Sequence, residues 1–151
     1  YFQNFLAWPR EKLWLGLRVH RAWYRMAQGL AAHIKKTVPI EERQSLYIAG
    51  HSMGGAVGAI LTLLLSSKKC MVWVVNAPKA GNKQFMQWLE RCSDFWLHYD
   101  AGDVVRHLPF LYAKYPREKQ YAKTSPFWRA HNNLPDWWHS FPDRVKVPEV
   151  K

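Results

Sequence analysis

The chain has 151 residues, of which 48% are hydrophobic, and it carries a formal net charge of +11 at pH 7. A chain of this length and composition can fill one hydrophobic core, which excludes a repeat array and a disordered tail. The longest apolar run, Ala56 to Leu65, is about half of the roughly 20 residues that span a bilayer, so no transmembrane helix is predicted.

The positive charge lies toward the two ends of the chain. Residues 76–112 are neutral, because four Lys or Arg residues there balance four Asp or Glu residues. The sequence signatures of nucleic-acid-binding modules are missing, so no nucleic-acid partner is expected. The basic flanks predict a solvated surface with a possible peripheral contact to an anionic membrane or lipid surface.

The first predicted element is an amphipathic helix from about Val19 to Lys36, which Pro39 ends. Its apolar residues recur at spacings of three and four: Trp23, Met26, Leu30 and Ile34.

Alternating strands and helices follow this helix. Residues 45–50, 71–75 and 94–99 are predicted as strands, while 53–65 and 82–91 are predicted as helices. Strands that alternate with helices at this spacing predict an α/β fold, a mostly parallel sheet flanked by helices. After Tyr99 only Val145 to Val147 suggests another strand.

The two cysteines stand close to these strands. Cys70 begins one predicted strand and Cys92 precedes the next, so a bridge between them is conceivable. Buried free thiols are the favoured state. No His, Cys, Asp or Glu cluster has the spacing of a metal site, so neither a metal nor another cofactor is expected.

A G-x-S-x-G pentapeptide, Gly50 to Gly54, joins the first strand to the apolar helix. Such a strand-to-helix turn holds its serine in a strained conformation, and the two glycines are expected to remove side chains that would collide there. The hydroxyl of Ser52 is then exposed at the end of the sheet, and the N–H of Met53 can donate to an oxyanion. These features predict a nucleophilic serine.

A serine nucleophile requires a histidine base and an acid that orients it, in the chain order Ser, acid, His for this turn. Asp94 opens its strand and therefore lies at the wrong end of the sheet. The acid is then Asp100 or Asp103. The histidines that follow them are His107, His131 and His139, and spacing does not choose among these residues.

Four segments, in order, resemble motifs of the class 3 lipases. These segments are Val19-His20-Arg21-Ala22-Trp23, Gly50-His51-Ser52-Met53-Gly54-Gly55-Ala56, Asn76-Ala77-Pro78-Lys79-Ala80-Gly81-Asn82 and Asp103-Val104-Val105-Arg106-His107-Leu108-Pro109. The resemblance implies an α/β-hydrolase-type fold that hydrolyses lipid esters, with Asp103 as the acid. The segment Asp136-Trp137-Trp138-His139-Ser140-Phe141 is similar to the family's histidine context, which implies His139 as the base, with His131 as the alternative.

One motif of that family is not found. Its second oxyanion donor follows a Phe-Arg-Gly segment well upstream of the Val-His motif, and this sequence has no such segment. Residues 1–151 are therefore expected to form a single hydrolase domain that is incomplete at its N-terminal side. The alternative is a lipid- or partner-binding module that retains the fold without catalysis. The aromatic pairs Phe127-Trp128 and Trp137-Trp138 either line an acyl site or pack the core.

Overall fold

The computed structural model describes residues 10–38, 46–65, 70–122 and 126–138. Val145 to Val147 lie outside these ranges, as does His139. The strands are β1 (Arg10–Lys12), β2 (Arg18–His20), β3 (Leu46–His51), β4 (Cys70–Val75), β5 (Asp94–Asp100) and β6 (Glu118–Ala122). The helices are α1 (Arg21–Thr37), α2 (Met53–Leu65), α3 (Lys83–Cys92) and α4 (Phe127–Ala130).

A four-stranded parallel sheet in the order β3-β4-β5-β6 forms the centre of the molecule, and β1 and β2 pair separately as an antiparallel ribbon. The predicted α/β class is confirmed, because helices connect and flank parallel strands. Val72, Val74 and Leu97 are fully buried in the two central strands. Since parallel strands end on the same side, residues that follow β3, β4 and β5 share one edge of the sheet.

Strand β6 was not predicted from the sequence. Its residues, Glu-Lys-Gln-Tyr-Ala, are mostly polar and exposed, because the strand lies at the sheet edge and buries little. Its register opposite β5 shifts by one residue, since Gln120 pairs with Tyr99 while Ala122 pairs with Asp100. Tyr121 is thereby left as the extra residue of a β-bulge, which redirects its side chain.

Helix α1 buries a face that only partly matches the predicted one. Ile34 is partly buried and packs against the core, as predicted. Trp23, Ala27 and Ala31 are buried, whereas Met26 and Leu30 are 47% and 43% exposed. Helix α1 packs on α2, and small alanines permit a closer approach of two helices than long side chains do. The helix also begins at Arg21, because Val19 bridges to Gly81 and His20 serves as the N-cap.

Helix α2 has the predicted bounds and is buried on nearly all sides, between α1 and the strands β3 and β4. At Gly58 a Cβ atom would meet the side chain of Ile48 at 2.9 Å, so this glycine permits the close approach of α2 to β3. Among the described residues, no helix is long and apolar enough to cross a membrane.

Both cysteines are free. Cys70 is buried as expected, and burial raises the pKa of its thiol to about 11. Cys92 is exposed at the end of α3, which corrects the expectation that both thiols are buried.

Candidate active site

The turn between β3 and α2 holds Ser52 in the left-handed region, with φ of 54°. Its N–H donates to the carbonyl of Val75 at the end of β4, 2.9 Å away, and its carbonyl accepts from the N–H of Gly55 at 2.9 Å. A non-glycine residue in this region is strained, so the surrounding bonds must hold it there. The strained serine turn expected from the pentapeptide is present.

The glycines around Ser52 differ in what they allow. A Cβ atom on Gly50 would lie 2.6 Å from the carbonyl oxygen of Gly54, and one on Gly55 would lie 2.7 Å from the Cβ atom of Ala77. A Cβ atom on Gly54 would have no neighbour within 4 Å. The expectation that both motif glycines remove a collision is therefore correct for Gly50 and wrong for Gly54, and Gly55 is the second glycine that packing requires.

One histidine links Ser52 to a buried carboxylate. The Nε2 atom of His131 lies 2.7 Å from the Oγ atom of Ser52, and its Nδ1 atom lies 3.0 Å from the Oδ2 atom of Asp103. The side chain of Asp103 is 0% exposed and that of His131 is 25% exposed. Hydroxyl, imidazole and carboxylate thus form one hydrogen-bonded chain.

The partners determine the direction of these hydrogen bonds. The Oδ1 atom of Asp103 accepts from the N–H of Val105 at 2.9 Å, so the carboxylate oxygens act as acceptors. An ionised carboxylate cannot donate, so Nδ1 of His131 carries the proton toward Asp103. In the neutral imidazole Nε2 is then an acceptor, and it can receive the proton of the Ser52 hydroxyl.

The histidine at this position is His131, whereas the prediction named His139. Two hydrogen bonds place His131 between Ser52 and Asp103. His139 lies outside the described residues. Spacing along the chain did not choose between the two histidines, because it does not determine where the segment after β6 lies.

The acid that contacts this histidine is Asp103, as the resemblance implied. Asp100 is also fully buried, but its carboxylate accepts from the N–H of Gly102 and from Asn133. Asp94 pairs with Arg117 at the other end of β5, 2.8 Å away, as its place at the start of the strand predicted.

Met53, predicted as an oxyanion donor, is the first residue of α2. The first N–H groups of a helix have no partner within the helix, and the helix dipole favours negative charge beside them. The N–H of Met53 directly follows Ser52, so it stands next to the carbon that the Ser52 oxygen would attack. Met53 is 41% exposed, which leaves this end of the helix accessible.

Sequence reasoning missed a polar cluster behind His131. It consists of His51, Asn76 and Tyr121, whose side chains contact backbone carbonyls at residues 130–133, and of Asn133, whose amide donates to Asp100. Burial most of all, and then the charges of Asp100 and Asp103, raise the pKa of Tyr121 to about 12 against the opposing effect of its bond from Asn76. The phenol therefore remains protonated and donates to the carbonyl of Asn133. The positive φ of Asn76 has no recognisable sequence signal.

Comparison with known proteins matches this chain to a lipase family. Residues 2–113 match the model of the family Lipase (class 3), a range that includes Ser52 and Asp103 and ends before His131. Toxin TseL of Vibrio cholerae serotype O1 is 22% identical over 101 residues, which are 64% of this chain and 16% of the toxin.

Solved structures of lipases share the fold at low sequence identity. The lipase from Rhizopus microsporus var. chinensis superposes with a TM-score of 0.61 at 18% identity, over 80% of this chain and 48% of the lipase. The Rhizomucor miehei lipase in its propeptide complex superposes with a TM-score of 0.63 at 18% identity, over 83% of this chain and 47% of the lipase. A triacylglycerol lipase with a serine protease triad as its catalytic centre superposes with a TM-score of 0.64 at 22% identity, over 80% of this chain and 52% of that lipase. The chain thus spans about half the length of these lipases.

Proposed function

Because the chain belongs to the class 3 lipase family, we propose that it hydrolyses carboxylic esters of lipids through an acyl-enzyme on Ser52. The observation that carries the proposal is the bonded chain from the Ser52 hydroxyl through His131 to the buried carboxylate of Asp103. This arrangement is the one that turns a weak hydroxyl nucleophile into an effective one.

In the first half of the reaction, the Oγ atom of Ser52 attacks the acyl carbon while Nε2 of His131 takes the hydroxyl proton. The carbonyl oxygen becomes an oxyanion, and the N–H of Met53 donates to it. Collapse of this intermediate breaks the ester C–O bond, and His131 returns the proton to the departing alcohol. Asp103 keeps the imidazole in the required tautomer and stabilises its charge.

In the second half, water attacks the acyl-enzyme. His131 accepts a proton from the water, and a second oxyanion forms beside the N–H of Met53. Release of the carboxylic acid restores the Ser52 hydroxyl with the proton that His131 returns.

Labelling with a fluorophosphonate, which reacts with activated serines, tests the proposal. We expect the mass of one adduct on the native chain and no adduct on Ser52→Ala. In His131→Ala, the labelling rate and the turnover of p-nitrophenyl butyrate should fall by about 10²- to 10⁴-fold, because the base is lost. His33→Ala, at an exposed position on α1, serves as the matched histidine control and should retain both rates.

Two outcomes would overturn parts of the proposal. If the native chain neither reacts with the fluorophosphonate nor hydrolyses the ester, the catalytic proposal fails. The alternative, a binding module that retains the hydrolase fold without catalysis, is then favoured. Loss of activity in His139→Ala with full activity in His131→Ala would restore His139 as the base.

A further inference from the structure

Asn76 occupies an unusual place behind the candidate active site. It follows β4 directly, is 0% exposed and has a φ of 49°. Its backbone N–H donates to the carbonyl of His98, and its side-chain oxygen accepts from the N–H of Asp100 at 3.0 Å. The residue is thereby fixed to β5 on two sides.

The side-chain nitrogen of Asn76 faces the loop that carries His131. Its Nδ2 atom lies 3.0 Å from the carbonyl oxygens of Ala130 and His131 and 3.1 Å from that of Asn133. The Oη atom of Tyr121 is also 3.0 Å away. Two N–H hydrogens are therefore shared among four oxygens, in three-centre hydrogen bonds.

Three further contacts act on the same loop. Nε2 of His51 lies 2.7 Å from the carbonyl oxygen of His131, and since that oxygen only accepts, this nitrogen carries the proton. The bulge in β6 directs Tyr121 to the carbonyl of Asn133. The amide of Asn133 donates to Asp100 at 2.8 Å.

The loop needs such support because its own secondary structure is short. Helix α4 has four residues, and His131 stands just beyond its end. Such a helix is too short to hold its geometry alone. The carbonyl at position 130 is buried and those at 131 and 133 are partly buried, so they need donors, and the amide of Asn76 supplies them from the end of β4.

We propose that Asn76 is a positioning residue for His131, which it keeps in line with Ser52 and Asp103 through the loop backbone. The expected effect on kcat rests on the proposed hydrolase function. The expected effect on the His131–Asp103 hydrogen bond does not depend on that function. Asn76 touches neither the substrate carbon nor the reacting atoms. It acts by fixing where the imidazole stands, and small displacements of a base are costly to the rate.

The first test compares Asn76→Gly with Asn82→Ala. Glycine tolerates the positive φ of position 76 and removes only the amide. Asn82 is the matched control, because its side chain caps α3 and bonds to Gly16, away from the His131 loop. With p-nitrophenyl butyrate, we expect kcat of Asn76→Gly to fall about 10- to 100-fold with KM within about twofold, and both constants of Asn82→Ala to stay near native values.

The second test does not depend on turnover. The proton NMR signal of the Nδ1–H of His131, identified by its absence in His131→Ala, reports the bond to Asp103. We expect this signal to exchange rapidly with water or vanish in Asn76→Gly and to persist in Asn82→Ala. Asn76→Asp retains the acceptor for Asp100 and replaces the donor by an oxygen, so it should lose the signal as well.

The outcomes separate the two proposals. A native chain without turnover in which Asn76→Gly still loses the signal would defeat the hydrolase proposal and support the positioning role. An unchanged signal and kcat in Asn76→Gly or Asn76→Asp would overturn the positioning role. Equal losses of kcat and melting temperature in Asn76→Gly and Asn82→Ala would also overturn it, because they indicate general destabilisation.

Discussion

At the scale of single residues, backbone strain is concentrated at the candidate active site. Within the described part of the chain, Leu15, Ser52 and Asn76 are the non-glycine residues with positive φ, and two of them lie at the end of the sheet beside His131. Strain of this kind costs of order 1–3 kcal/mol per residue and persists where neighbouring bonds enforce it. The motif predicted the strain at Ser52, whereas Asn76 is recognised only from its contacts.

His98 gives a prediction on pH and stability. Burial, and second the charge of Lys119, lower the pKa of this histidine to about 4 from an ordinary 6.5. Between these values the unfolded chain binds a proton that the folded chain does not, so the free energy of unfolding falls as the pH falls from 6.5 toward 4. Urea unfolding of His98→Gln should show a free energy of unfolding that depends less on pH in this window. The decrease in slope should correspond to up to about one fewer proton taken up on unfolding.

Lys119→Gln provides the graded comparison for His98. Removing that charge should raise the pKa of His98 part of the way, so the slope should decrease less than in His98→Gln. If His98→Gln keeps the native slope, the acid sensitivity arises from other groups.

At the scale of elements, the turn between β3 and α2 shows how packing determines which glycines are needed. Gly50 faces backbone atoms of the helix start, Gly55 faces Val74 of β4 and Ala77, and Gly54 faces open space. The pentapeptide pattern treats Gly50 and Gly54 alike. Gly50 lies near the end of a strand against which the helix begins, whereas Gly54 and Gly55 face solvent or sheet according to their angle around the helix axis.

Alanine substitutions at these glycines test this difference. Gly50→Ala should lower the free energy of unfolding by about 1–3 kcal/mol or more, since its Cβ atom would stand 2.6 Å from a backbone oxygen. Gly54→Ala should be neutral or stabilising by up to about 1 kcal/mol, because alanine is the better helix former. Urea unfolding of the two variants measures both values, and equal effects would contradict the contact geometry.

At the scale of the whole molecule, the net charge of +11 underlies the expectation of a peripheral contact with anionic lipid. Helix α1 exposes Arg25, Lys35 and Lys36, and on the same helix Met26 and Leu30 are more than 40% exposed. Cations attract anionic lipid at long range, and apolar side chains add contact once the surface is reached.

Sedimentation with vesicles tests this contact. The chain should bind vesicles of phosphatidylcholine with phosphatidylglycerol, and binding should weaken from 0.1 to 1 M NaCl, over which the Debye length falls from about 10 to about 3 Å. Vesicles of phosphatidylcholine alone are the control and should bind weakly. The double variant Arg25→Glu, Lys36→Glu should bind the anionic vesicles less than the native chain, and equal binding to both lipids would refute the charge argument.

The amino-acid sequence by itself determined the features that depend on near neighbours. A continuous apolar run predicted α2 with its observed bounds, and further local patterns predicted three central strands and α3 to within about one residue. The pentapeptide predicted the strained Ser52, and the family resemblance singled out Asp103, the carboxylate that bonds to His131. The elements and the strained serine follow from steric and burial preferences that act over a few residues.

Only the tertiary structure decided the features that depend on distant segments. His131 reaches Ser52 across 79 positions of sequence, and contacts with Asn76 and His51 hold it there. The polar edge strand β6 and the buried alanine face of α1 likewise have no local signature. Long-range packing selects among residues that are equivalent by type and spacing, and for this reason His131 rather than His107 stands beside the serine.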